Sequence, residues 1–427
     1  MHEEAPKADS YRWVVLAAYS LLNAVAVMQW LTFAPITGEA AGFYGVTPMK
    51  IGLFSMVAQI LYLVLSIPAS YIVDTWGIRR GIGFGAVLTG GFGFARGYFG
   101  ARYDFVLVAT IGFTVAQPIV FNSMTALCAR WFPLRQRVTA AGVASFFGFA
   151  GTMVAMGLTP VLTIAYGIPG MLKIYGFLSL AVATLFCALV RERPLAPPAG
   201  SHVERVPVLA GIKHILTSRN PLLLMAITFV MMGSYTVVMT WVEQIIAPRG
   251  FDMIQAGTLG TVMQLGGIVG CFIVPPLSDK YGRRKPFLAV SVLGVLPGLL
   301  GLAFATGYGM LLAAGFCFGL FLMGFTPVVY QFSAELGYPA PEATSQGMLL
   351  WAGNLSGAIF VYGADLLRSA SGAMTPSLLS IAALTAMMIL PLSLMKETRG
   401  PQREVAGGGR RSTGNGSSGL RPLGGQV

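Results

Sequence analysis

The sequence predicts an all-α membrane protein: twelve transmembrane helices arranged as two pseudo-symmetric six-helix bundles. Composition, a row of apolar runs and an internal repeat each lead there. Of 427 residues, 55% are hydrophobic and 10% charged, against about 25% charged in an ordinary soluble domain. A large soluble helical protein would need charged outer faces, and most of the apolar runs have none. The 54 Gly and 25 Pro residues are scattered through those runs, as is common in membrane helices.

A helix that crosses the hydrocarbon core needs about 20 mostly apolar residues. Twelve stretches qualify: 13–36, 51–74, 81–99, 105–128, 138–163, 171–190, 221–246, 256–277, 287–305, 309–331, 346–366 and 374–395. The first follows a polar tail, 1–12, without a small-residue cleavage site, so it is read as a retained helix and not as a signal peptide. Residues 13–190 form one bundle and 221–395 the other. Between them, 191–220 carries Pro194, Pro197, Pro198, Arg205, Lys213 and Arg219, the composition of a basic linker. From 396 to 427 the chain turns to Gly, Ser and Arg, and a disordered tail is expected.

The repeat supports the division. Asp74-Thr-Trp-Gly77-Ile-Arg79-Arg80 recurs as Asp279-Lys-Tyr-Gly282-Arg283-Arg284 at an offset of 205 residues, and Gln59 and Gly142 map onto Gln264 and Gly347 at the same offset. Two such halves joined by a linker are the build of a secondary transporter with its site between them.

The net charge of +12 would suggest nucleic acid in a soluble protein. Here the basic residues cluster between apolar runs, and the positive-inside bias explains them better. With both termini cytoplasmic, 22 of the 28 Lys and Arg fall inside and six outside: Lys50, Arg96, Arg102, Lys173, Arg249 and Arg368. The expectation is a multi-pass protein of a cell membrane, plasma or inner, with no nucleic-acid partner. Cys128, Cys187, Cys271 and Cys317 form no CxxC and show no metal-ligand spacing, so they are read as small buried hydrophobes. Neither metal nor cofactor is expected.

The D-x-x-G-x-R-R motif of the first short inner loop, repeated in the second half as D-x-x-G-x-R-K, is what the major facilitator superfamily shows there. Gly77 and Gly282 permit a tight turn. Asp74 and Asp279 sit at helix ends, where an arginine or another helix's N-terminus can pair with them and latch neighbouring helices in one gating state. Arg79, Arg80, Arg283 and Arg284 complete the set. The segment Ala129-Arg130-Trp131-Phe132-Pro133 after the fourth helix is a comparable inner-loop signature.

Ionisable residues deep in a span are functional by default, and the spans carry essentially none: Arg96, Glu243, Glu335 and Asp365 lie near helix ends. With no acidic relay in view, facilitated diffusion is favoured over tight proton coupling. Glu243, at the end of the seventh helix, either draws cations toward a vestibule or faces headgroups. The midplane instead offers amides and rings: Gln117, Asn354 and Asn23, with Trp30, Tyr235, Trp241, Tyr330 and Trp351. An unpartnered amide is costly in hydrocarbon, so Gln117, followed by Pro118, must face a cavity or another helix. Rings attract a cation and amides bind a hydroxyl. The set therefore suits an ammonium compound with a small polar group.

At these residues the sequence resembles the feline leukaemia virus subgroup C receptor-related (FLVCR-like) branch of the superfamily. The resemblance rests on Tyr11-Arg-Trp-Val-Val, Asn23 and Gln29-Trp30, Gly42-Phe-Tyr-Gly-Val, Leu65-Ser-Ile-Pro68 through Asp74, and Ala116-Gln117-Pro118. Glu243-Gln244-Ile245 and Glu335-Leu-Gly-Tyr338-Pro339 extend it into the second half. It implies the superfamily fold and passage of choline- and ethanolamine-type amines, with haem export as the older family assignment and vitamins among other cargoes. It also implies that Trp30 and Gln117 are site residues and that Asn354 stands where the family has a second glutamine, one methylene longer. The three histidines, His2, His202 and His214, lie in the tail and linker, so no span offers haem an axial imidazole, although Tyr and Met can ligate iron. A non-transporting receptor and a membrane enzyme are the other classes. The first usually adds a folded soluble domain, and the second needs an acid–base constellation that the spans lack. The expected partners are a small organic solute, with an amine cation first, and the lipid bilayer, with the chain acting as a monomer.

Overall fold

A computed structural model of the chain describes residues 10–192, 208–337, 342–368 and 372–395. The expected tails and most of the linker's loop lie outside these residues. The described residues are helical throughout, without a strand. We number the spanning helices α1 (Arg12–Leu31), α2 (Pro48–Gly77), α3 (Gly83–Tyr98), α4 (Tyr103–Trp131), α5 (134–166), α6 (168–189), α7 (Arg219–Thr240), α8 (Met253–Tyr281), α9 (Lys285–Phe304), α10 (Tyr308–Gly337), α11 (Glu342–Leu366) and α12 (Thr375–Met387, continued by Ile389–Leu394). Ten helical stretches among the described residues are long and apolar enough to cross a membrane. One of these, Thr139–Leu189, spans 51 residues and covers two crossings, and Gly83–Tyr98 with 16 residues adds the twelfth.

Each predicted run contains a helix, but two neighbouring runs join and two others break sharply. α5 and α6 follow each other without a loop. The direction changes at Gly167 alone, whose φ of 68° and ψ of 171° an L side chain avoids. The run 13–36 is not one helix: α1 stops at Leu31, a tight turn at Ala34–Ile36 holds Pro35, and a short helix Thr37–Tyr44 ends on the left-handed Gly45. The run 221–246 breaks in the same way at Trp241, between α7 and the short helix Val242–Ile246. Ile36 and Trp241 are repeat partners at the 205-residue offset, with φ/ψ of −129°/26° and −104°/18°. The linker is not all loop, since Val208–Thr217 forms a helix that packs against the second half.

Small residues let the helices close up, as expected where hydrophobic drive is absent between lipid-embedded helices. A Cβ at Gly270 of α8 would collide with the Leu320 carbonyl of α10. The most extensively packed pairs, α8 with α10 and α1 and α3 each with the joined α5–α6 stretch, lie within a half. Across the halves, α5 meets α8 and α2 meets α11.

Candidate transport site

Arg79, Arg80, Arg130, Arg137, Lys280, Arg283, Arg284 and Lys285 lie in or beside the turns after α2, α4 and α8 and define a basic side of the molecule. On the opposite, far side the two halves touch. Gly52 of α2 admits the Trp241 indole so closely that a Cβ there would lie 2.7 Å from Cη2. Trp241 is fully buried, donates from Nε1 to the Val361 carbonyl at 3.2 Å, and lies under the Arg368 guanidinium. Farther out, the Gly38 N–H donates to Glu243 Oε2 at 2.6 Å, and the Thr37 N–H also reaches that carboxylate. Both of these hydrogen bonds join the halves, and both end on Glu243. Gly38 and Glu243 are themselves repeat partners at the 205-residue offset, which puts this contact on the pseudo-twofold axis. Glu243 lies beyond the spanning helix, which ends at Thr240. Burial pushes its carboxyl up to about 7, against the opposing pull of the Gly38, Gln244 and Thr37 hydrogen bonds.

Beneath this seal runs a polar layer through both halves. Gln117, 3% exposed, donates to the Ala26 carbonyl of α1 at 3.3 Å. One turn on, Trp30 donates from Nε1 to the Ser55 carbonyl of α2 at 3.3 Å. Gln59, a turn beyond Ser55, packs against Gly357 of α11 together with Thr236 of α7, so that an added Cβ would lie 3.0 Å from its carboxamide. Beside Thr236, Tyr235 donates to Gln264 Oε1 at 3.2 Å, and the Gln264 Nε2 is buried with no partner. A second polar cluster joins α2 and α4: Tyr62 donates to Asn122 Oδ1 at 2.7 Å, while Asn122 Nδ2 donates to Ser66 and Ser70 hydroxyls at 3.1 and 3.0 Å. No carboxylate takes part in either group.

Of the expected residues, Trp30, Gln117 and Tyr235 fall in this layer, each bonded to a neighbouring helix of its own half. Trp241 belongs to the seal, because its ring fills the space left by Gly52. Asn23 bridges α1 to α5, donating to the Ala144 carbonyl at 3.1 Å. Tyr330 is half-buried against the core. Asn354 donates to Leu350 of its own helix at 2.9 Å. Trp351 does not join the layer: it is 41% exposed, on the same face of α11 as Tyr362 and Leu366, away from the Gly353 and Gly357 edge that packs against α7 and α2. Helical spacing alone could not orient that face. Gln59 and Gln264 enter the sequence only as repeat markers, and the repeat was the signal that they matter. Ser55 contributes a backbone carbonyl and leaves no signal.

The interior needs one correction. Arg96, expected to count with the outer charges, is 1% exposed within the first half.

At the basic side, hydrogen bonds and ion pairs between described residues stay within one half. In the second half, Arg284 joins Asp279 to Glu335, the latter at 3.2 Å, and so ties α8 to α10. Burial alone would lower the guanidinium pKa, but the two carboxylates outweigh it and raise it. Gly282 turns with φ 61°, and Arg283 points to solvent while its carbonyl accepts the Ser278 hydroxyl. In the first half the working carboxylate is Glu192, after α6, which the motif does not contain. It fills the notch left by Gly77 (φ 83°), accepts from the Ile78 and Arg79 N–H groups at 3.0 and 2.8 Å, and pairs with Arg130 at 3.0 Å. The Arg79 and Arg80 side chains are exposed, and the Asp74 side chain lies outside the described residues.

Comparison with known proteins places this geometry. The Major Facilitator Superfamily model matches residues 19–361. Solute carrier family 49 member A3 of Danio rerio is 30% identical over 82% of this chain and 77% of its own length. The choline/ethanolamine transporter FLVCR1 of Felis catus is 26% identical over 82% of this chain and 66% of its own length. Among solved structures, a bacterial homologue of the human lysosomal transporter Spinster, inward-facing and unoccupied, superposes with a TM-score of 0.69 at 14% identity, covering 90% of this chain and 96% of that one. A point mutant of the nucleoside transporter NupG gives 0.70 at 13% identity, over 90% and 100%. These two show the fold alone. Fold, repeat and relatives agree: this chain is a non-enzymatic, multi-pass membrane transporter that belongs to the major facilitator superfamily, in its FLVCR-like branch.

Proposed function

We propose that the chain carries choline- and ethanolamine-type amines by alternating access, as a facilitator. One observation carries this reading: the layer from Gln117 and Trp30 through Gln59 to Tyr235 and Gln264 spans both halves with rings and neutral amides and holds no carboxylate. A desolvated cation gains about 2 kcal/mol from an aromatic face, and the amides offer partners for a hydroxyl or amine. The name of the FLVCR1 relative points to the same substrate class. The excess of Lys and Arg on the basic side supports a cytoplasmic position for that side and for both termini, in a cell membrane. On that orientation the far-side seal is the extracellular or periplasmic gate, shut, and the motif loops belong to the opposite gate. One polypeptide supplies both halves of the site, so a monomer suffices.

Haem or another organic solute is the second reading. The one observation in its favour is Asn354, which bonds its own helix and leaves the layer without the second long amide of the family. Uptake of radiolabelled choline into proteoliposomes, with ethanolamine, tetramethylammonium, haem and a carboxylate as competitors, separates the two. Saturable uptake blocked by the amines is expected. Absence of saturable uptake, or competition by haem alone, overturns the amine reading.

A further inference from the structure

Arg96 is the one fully buried arginine among the large buried side chains, and the transport layer itself does not use it. Among the described residues no carboxylate lies within ion-pair distance of it. A buried cation without a counter-ion is expensive, so what surrounds it calls for an account.

Its neighbours come from the elements that carry Trp30 and Gln117. Nη1 donates to the Gln29 carbonyl at 2.8 Å and to Gln29 Oε1 at 2.9 Å. Gln29 is held from the other side, where its Nε2 donates to the Ser179 hydroxyl of α6 at 2.6 Å. The guanidinium lies over the Phe33 ring at 4.9 Å and the Phe113 ring at 5.3 Å. Gln29 precedes Trp30, Phe33 follows it by three residues, and Phe113 stands one turn before Gln117 on α4. The α1 helix ends at Leu31, so the Gln29 carbonyl is among the last four, which have no partner within the helix. The negative end of the helix dipole favours a cation there. The missing counter-ion is thereby accounted for: carbonyl, carboxamide and two ring faces take the place of a carboxylate. Nη1 alone serves both acceptors and Nε is buried without a partner; a lysine would supply the charge and the donors but not the planar face that lies over the rings.

We propose that Arg96 is a positioning residue for the transport site. It clamps the last turn of α1 through Gln29 and so sets the orientation of the Trp30 indole, which donates to the Ser55 carbonyl of α2. That this turn belongs to a transport site rests on the function proposed above. That Arg96 orients Trp30 does not.

The test reads Trp30 directly. The chain has six tryptophans. Protein labelled with 5-fluorotryptophan gives a fluorine NMR line for Trp30 that is assigned through Trp30→Phe. In Arg96→Met the Trp30 line is expected to shift or broaden while the other tryptophan lines hold their positions, and Arg96→Lys is expected to do the same to a lesser degree. Choline affinity of the folded variants falls roughly tenfold. An unmoved Trp30 line overturns the proposal, and so does a displacement shared by all lines, which marks a general structural role. Should Arg96→Met not fold, the Trp30 line of Arg96→Lys decides by the same criterion. If wild-type protein binds no choline, the amine reading fails, yet the fluorine lines still decide the role of Arg96.

Discussion

The two halves place an aromatic ring with a polar edge at the same register and support it by different means. Trp30 and Tyr235 are repeat partners at the 205-residue offset, and each donates to the next helix of its own half: Trp30 to the Ser55 carbonyl of α2, Tyr235 to Gln264 of α8. Behind Trp30 stands Arg96 with its guanidinium on Gln29. Its partner by the repeat is Gly301, where a Cβ would come within 2.5 Å of the Ala314 Cβ, so close helix packing occupies the place of a charge network. The partner of Gln117 is Leu322, fully buried in the core. A duplicated scaffold therefore keeps the ring and divides the labour: the first half supplies a held indole and an amide, the second a phenol whose hydroxyl is already engaged.

Four experiments would break or sharpen that contrast, taken from the largest expected effect to the smallest. Trp30→Ala should lower choline affinity about 30-fold, the loss of a desolvated cation–π contact of about 2 kcal/mol, whereas Tyr235→Phe, which keeps the ring, should cost only a few-fold; equal losses in isothermal titration would erase the asymmetry. Glu243→Ala removes the acceptor of two hydrogen bonds between the halves, worth about 1 kcal/mol each, and should speed amide hydrogen exchange in the segment 37–44 about tenfold or more. Unchanged exchange there would mean that the carboxylate does not hold the seal. Gln117→Ala should weaken choline several-fold while tetramethylammonium, which has no hydroxyl, loses less, with competition assays as the measure.

The smallest effect is on pH. With the far side shut, the Glu243 carboxyl sits at about 7 because burial disfavours its charge. With that side open to water, it returns toward the ordinary carboxylate range. The shut form therefore binds the proton more tightly, and lowering pH from 8 through 7 favours it until both forms are protonated. Protection of segment 37–44 relative to the intrinsic exchange rate at each pH should rise over that interval, and in Glu243→Gln it should be high at every pH. A Glu243→Gln protein with the wild-type pH dependence would assign the effect to another group.

The helices were legible because hydrocarbon leaves a strong mark, a run of about 20 apolar residues. The break at Trp241 was not, since the residues beyond it, such as Val242 and Ile245, remain as apolar as those before, and nor was the stop at Leu31, since Phe33 and Ile36 continue the apolar run. Residue type identified the candidate rings but not their direction. Trp241 points at a glycine 189 positions earlier in the chain, and Trp351 turns from the layer because Gly353 and Gly357 take the packed edge of α11. Arg96 reads as an end-of-helix charge until Phe33, Phe113 and Gln29, from two other helices, are seen around it. The repeat offset carried more of the site than any single motif, since it pairs Trp30 with Tyr235, Gln59 with Gln264 and Gly38 with Glu243.

The most direct test of the central claim is an electron cryo-microscopy structure determined with saturating choline. An ammonium group between the Trp30 and Tyr235 rings, with its hydroxyl toward Gln117, is the predicted result. Choline density beside Trp351 and Tyr362, or no choline density in the layer joining the two halves, would contradict it.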